Sequence, residues 1–200
     1  PGQIGIAKFS YFEEKLGSES GSQKHVVRRI IETSSQFWTK RDGADLWYLC
    51  EDRENTLINN LFKVYSVTDS CPVDDLATAL NRALKSRSLD YPVAPPEIIA
   101  DYLRQCRYVD VRDGIATFRK ETCEAVELTK PQETVRQVLA EFGPSGASLS
   151  ALSEKLTAFA DEFSPATIDK AIMNSPVVWV SGSRGDRTYR LLAFATKEHQ

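Results

Sequence analysis

Clustered cations are the residues whose type and spacing could do chemistry. Lys24, His25, Arg28 and Arg29 fall within a short stretch, and Lys40 and Arg41 follow it closely. Near the other end stand Lys170, Arg184, Arg187 and Arg190. Cations grouped this way can neutralise successive phosphates, so these residues form the expected contact set for duplex DNA. A charged helix face or loop serving only solubility would use the same residues. Other chemistries find less support. The chain has four cysteines, Cys50, Cys71, Cys106 and Cys123, and two histidines, His25 and His199. None of the cysteines forms a C-x-x-C pair, so no metal is expected. No nucleophile elbow, phosphate loop or dinucleotide fingerprint occurs, so neither an enzyme nor a cofactor is expected.

The elements that must position those cations come in a repeat. Arg41-Asp42-Gly43 recurs as Arg112-Asp113-Gly114 and, more loosely, as Arg184-Gly185-Asp186. Gly43, Gly114 and Gly185 stand at equal intervals of 71 residues. Each lies between two β-type runs, such as Tyr108-Val109-Asp110-Val111 and Ile115-Ala116-Thr117-Phe118, which predicts a hairpin. Trp38, Trp47, Trp179, Tyr48 and Tyr189 sit on these runs and are expected in the core.

Helices are predicted ahead of each hairpin from apolar spacing. In the middle repeat the inward faces are Leu57, Ile58, Leu61, Phe62 and Tyr65, then Leu76, Ala77, Leu80 and Leu84, then Ile98, Ile99, Tyr102 and Leu103. In the last they are Val135, Val138, Leu139 and Phe142, then Leu149, Leu152, Leu156 and Phe159, then Ile168, Ala171 and Ile172. Ser148 and Ser164 are positioned as N-caps, with Pro165 in the first turn. The first repeat shows a short strand or extended lead-in with Ile4, Ile6 and Phe9, a helix over 11–16 ended by Gly17, and one with Val26, Val27, Ile30 and Ile31 inward, leaving Arg28 and Arg29 outward.

Three helices and a two-stranded wing make a winged helix, a variant of helix-turn-helix whose third helix enters the major groove. The fold class is therefore α+β, mostly α with small β-hairpins, in tandem winged-helix repeats. The expected units are 1–52, lacking its first helix, 53–122 and 130–196, with 121–129 as a linker. The middle unit carries Glu97 and Asp101 on its third helix, where they would repel phosphate. It reads as a packing or protein-contact module, with Arg82, Lys85 and Arg87 decorating the preceding helix and loop.

Composition bounds these readings. The chain has 200 residues, 42% hydrophobic and 26% charged, with a net charge of −3. That balance can bury cores and does not advertise a nucleic-acid binder in bulk, so any basic surface must be local. No apolar run reaches the length of a bilayer span, and no membrane association is expected. No signal peptide opens the chain, which suits a cytoplasmic protein with reduced thiols. The start at Pro1 leads us to expect a piece of a longer protein.

The stretches Phe37-Trp38 to Trp47-Tyr48-Leu49, Asn55 to Val64 and Tyr91-Pro92-Val93-Ala94-Pro95-Pro96 resemble a group of bacterial proteins. These carry tandem winged-helix repeats beside a sigma-factor-like helix-turn-helix segment. The resemblance covers roughly 37–120 and, more loosely, the third repeat. It implies a bacterial, cytoplasmic, DNA-associated protein with a role in transcription regulation. These residues contain no counterpart of the sigma-like segment, and no family functional residue carries over. Two functions are thus expected: a DNA-associated regulatory module, or a protein-interaction scaffold of winged helices joined to other subunits.

Overall fold

The computed structural model describes residues 5–15, 21–52, 54–85, 91–159, 162–183 and 186–198. The architecture is α+β, with small antiparallel sheets set among short helices. The chain begins with β1 (Ala7–Lys8), α1 (Phe9–Lys15), α2 (Gly21–Thr33) and the hairpin β2 (Phe37–Asp42) and β3 (Asp45–Cys50). Next come α3 (Thr56–Tyr65), β4 (Ser70–Pro72), α4 (Val73–Lys85), α5 (Pro96–Leu103) and the hairpin β5 (Val109–Arg112) and β6 (Ile115–Phe118). The last set is α6 (Lys130–Phe142), β7 (Ala147–Ser148), α7 (Leu149–Leu156), α8 (Pro165–Asn174) and the hairpin β8 (Val178–Ser181) and β9 (Thr188–Leu191).

The three sheets have the same topology: β1-β3-β2, β4-β6-β5 and β7-β9-β8. In each, a short strand ahead of a helix pairs antiparallel with the second strand of the following hairpin. Cys71 pairs with Ala116 and Ala147 with Tyr189. β4 and β7 are too short to show alternation, so periodicity could not reveal them. Asp113 and Gly114 both have positive φ, 50° and 78°, which gives the middle hairpin the tight turn that suits strand twist.

Local signals form most helix starts as expected. Ser148 accepts from the Ala151 N–H, and Ser164 accepts from the Thr167 N–H with Pro165 opening α8. The Asn55 carboxamide oxygen caps α3 by accepting from the Leu57 and Ile58 N–H groups. Its NH₂ donates to the Gly5 and Cys50 carbonyls, so one wholly buried side chain ties the first repeat to the second.

The inward faces predicted for α3, α4 and α5 are buried, apart from the half-buried Tyr65. They join Val135, Leu139, Leu152, Ile172 and Tyr189 in one continuous core spanning the second and third repeats. A smaller core of Ala7, Phe9, Ile31, Leu46 and Tyr48 belongs to the first. Successive side chains of a strand point to opposite faces, and β3 uses both. Leu46 and Tyr48 enter the small core, while Trp47 and Leu49 enter the large one.

Two apolar expectations fail. Of the four α2 residues predicted inward, only Ile31 is buried; Val27 is half-buried, and Val26 and Ile30 are 56% and 52% exposed. In the third repeat α6 packs against α8. Among the described residues, no helix precedes β1 to cover α2 in the same way. Leu149, expected inward, is also exposed, at the first residue of α7.

Candidate interaction surfaces

On α2, His25 and Arg29 are exposed and Lys24 is half-buried, and none of the three forms an ion pair among the described residues. Arg28 is different. Its Nε lies 3.4 Å from Glu32 Oε1, four residues on, and its guanidinium stands 5.7 Å from the Phe9 ring centre. Arg41, on β2, reaches the same Glu32 oxygen at 2.6 Å. Two of the expected phosphate contacts thus share one carboxylate. The i,i+4 spacing of Arg28 and Glu32 is visible in the sequence, whereas the approach of Arg41 required the fold.

Lys40 is also engaged. Its ammonium lies 2.8 Å from Asp101 on α5, and this hydrogen bond is the main reason the Asp101 carboxyl is held below its ordinary range. Arg104 joins the same carboxylate at 3.2 Å. Beside them the Trp38 indole N–H donates to Gln105 Oε1 at 3.3 Å, and its ring meets Tyr102 edge-on at 5.4 Å. The Tyr102 hydroxyl donates to Glu51, which also pairs with Arg107 at 3.4 Å. The first hairpin therefore packs on α5, the third helix of the middle repeat. Of the three tryptophans expected in the core, Trp47 is buried, while Trp38 and Trp179 are half-buried against it.

In the third repeat, Lys170 is exposed on α8 and Arg187 is half-buried ahead of β9. Arg184 lies outside the described residues. Arg190 was expected to face solvent as a phosphate contact, but it is only 7% exposed. Its guanidinium donates to the Pro144 carbonyl at 3.1 Å and stacks 4.1 Å from the Trp179 ring centre. The physical reason is sheet order. β9 is the central strand between β7 and β8, and Arg190 stands opposite Trp179, a pairing that suits a cation over an aromatic face.

Arg82 corrects another surface expectation. It reaches out of α4 to the Ser175 carbonyl at 2.9 Å and to the Val178 carbonyl. Burial pushes its guanidinium pKa down to about 10. Lys85 is exposed as expected, and Arg87 lies outside the described residues.

A cleft of about 800 Å³ is lined by residues including Ser66, Val67, Leu128, Glu133, Arg136 and Phe163. Its charged pair is self-satisfied: Arg136 and Glu133 lie 2.6 Å apart, and the Ser66 hydroxyl donates to the Lys63 carbonyl. Among the described residues, no group of three His, Cys, Asp or Glu side chains could hold a metal ion. Among the same residues, no helix is long and apolar enough to cross a membrane.

The fold thus places an exposed row of Val26 and Ile30, expected inward from their spacing, beside a basic row of His25 and Arg29. No family model, curated protein or solved structure matches this chain.

Proposed function

We propose that the chain is a non-enzymatic interaction scaffold of three winged-helix units, acting within a larger complex. The winged-helix reading is supported by the recurring short strand, helices and hairpin, and by the common sheet order. The observation that carries the scaffold reading is the state of the third helices. α5 is partly covered by β2, and α2 presents Val26 and Ile30 to solvent. Exposed aliphatic side chains offer nothing to a phosphate but suit a protein partner. Four of the ten expected DNA-contacting cations are already engaged. Arg28 and Arg41 meet Glu32, Lys40 meets Asp101, and Arg190 is buried. A cytoplasmic setting suits Cys71, Cys106 and Cys123, which are buried as free thiols.

The DNA-associated regulatory reading stands second, supported by Lys24, His25 and Arg29 on one helix and by Lys170 on another. Fluorescence anisotropy with a random-sequence duplex at two salt concentrations separates the two. The scaffold reading expects no saturable, salt-dependent binding. If binding appears, and Arg29→Ala lowers the slope of log affinity against log salt by about one, the DNA reading takes precedence.

A further inference from the structure

We infer that the outward face of α2 docks an acidic amphipathic helix of a partner protein. This rests on the scaffold reading and names the chemistry of one of its partners. Val26 and Ile30 are four residues apart, as are His25 and Arg29, so the helix carries two parallel rows on neighbouring strips of one face. The apolar row is open: Val26 and Ile30 are more than half exposed, while the corresponding helix α8 has its apolar face packed against α6. Next to Val26 lies a shallow depression of about 360 Å³ lined by Ser22, Gln23, Val26 and Val27, able to receive an aliphatic side chain.

Charge selects the partner. Glu32, near the end of α2, is already matched by Arg28 and Arg41. Arg29 and His25 flank the apolar row without an ion pair among the described residues. An occupant that buries Val26 and Ile30 and also satisfies that edge must carry an apolar ridge bordered by carboxylates. Two helices meet by setting the i,i+4 ridges of one into the grooves of the other, and an amphipathic helix laid on an apolar strip is a common recognition mode. Complementary charge along the rim sets the register and discriminates against basic partners.

The probe is a fluorescein-labelled synthetic helix of about 20 residues, with leucines at helical spacing on one face and glutamates elsewhere. One control replaces every glutamate with lysine, and another replaces every leucine with serine. Anisotropy and backbone amide NMR shifts are read on the 200-residue chain. The acidic leucine helix should bind at least about tenfold more tightly than either control, with shifts concentrated in 21–33. Val26→Ser with Ile30→Ser should weaken it by a similar factor, and His25→Glu with Arg29→Glu should reverse the preference towards the lysine control. These side chains lie outside both cores, so circular dichroism and melting temperature should be unchanged. Equal binding of acidic and basic helices, no binding, or shifts away from α2 would overturn the inference. The duplex probe run in parallel separates the two levels. Salt-dependent duplex binding that shifts the α2 amides removes the scaffold reading itself. Absence of both duplex and peptide binding removes only the docking inference.

Discussion

The guanidinium of Arg82 donates to the backbone carbonyl of Ser175, 93 residues away in sequence, at 2.9 Å. Ser175 is the C-cap of α8, and β8 begins at Val178, whose carbonyl Arg82 also reaches. One cation therefore closes the helix end and the following strand start, where a helix leaves carbonyls without internal partners. It does so from the neighbouring repeat, so α4 and the α8–β8 corner are held as one body.

Arg82→Ala should destabilise the chain by about 2–4 kcal/mol, because two carbonyls lose a buried charged donor. Urea unfolding checks this. A loss under about 1 kcal/mol would mean that water replaces the guanidinium at no great cost.

The joint between the first and second repeats should depend on packing more than on charge. Trp38→Ala removes the edge-on contact with Tyr102 and the hydrogen bond to Gln105, and should cost about 2 kcal/mol. Lys40→Ala breaks a partly exposed ion pair with Asp101 and should cost less than about 1 kcal/mol. Denaturation midpoints of the two variants should fall in that order.

Gly146 has φ of 68°, and a Cβ there would lie 2.6 Å from the Tyr189 carbonyl oxygen. Gly146→Ala should therefore destabilise by at least about 1–3 kcal/mol. Gly114 also has positive φ, but open space surrounds its would-be Cβ. Gly114→Asn should stay within about 1 kcal/mol, since asparagine tolerates that backbone region. Thermal melts of the pair give the comparison.

Stability should fall in alkali. Burial pushes the Tyr48 and Tyr102 phenols and the Cys71 thiol up, and the Cys106 thiol up to about 11. The folded chain keeps these protons where the unfolded chain has lost them, so their contribution is complete below about pH 9 and declines as pH rises. Arg82 acts in the opposite sense, since its folded pKa lies below the ordinary value, but it is one group against four. Melting temperatures measured from about pH 8 to 11 should decrease steadily, and a flat profile would contradict this account.

The sequence by itself determined the repeat and most helix faces. Leu57, Leu61, Leu76, Leu80, Ile99 and Leu139 were placed inward by spacing alone, and all are buried. Spacing records which side chains share a face, because the helix period is the same wherever the helix lies. It does not record what lies opposite. Val26 and Ile30 have the same apolar character and spacing as buried pairs, yet face solvent because no helix packs over α2 among the described residues. Arg190 sits on a strand that reads as alternating, yet both its neighbouring strands and the Pro144 carbonyl enclose it. Arg82 and Lys40 read as surface cations until partners distant in the chain arrive at 2.9 and 2.8 Å. Those approaches depend on how the repeats stack, and stacking follows from the fit of whole faces rather than from any local run of residues.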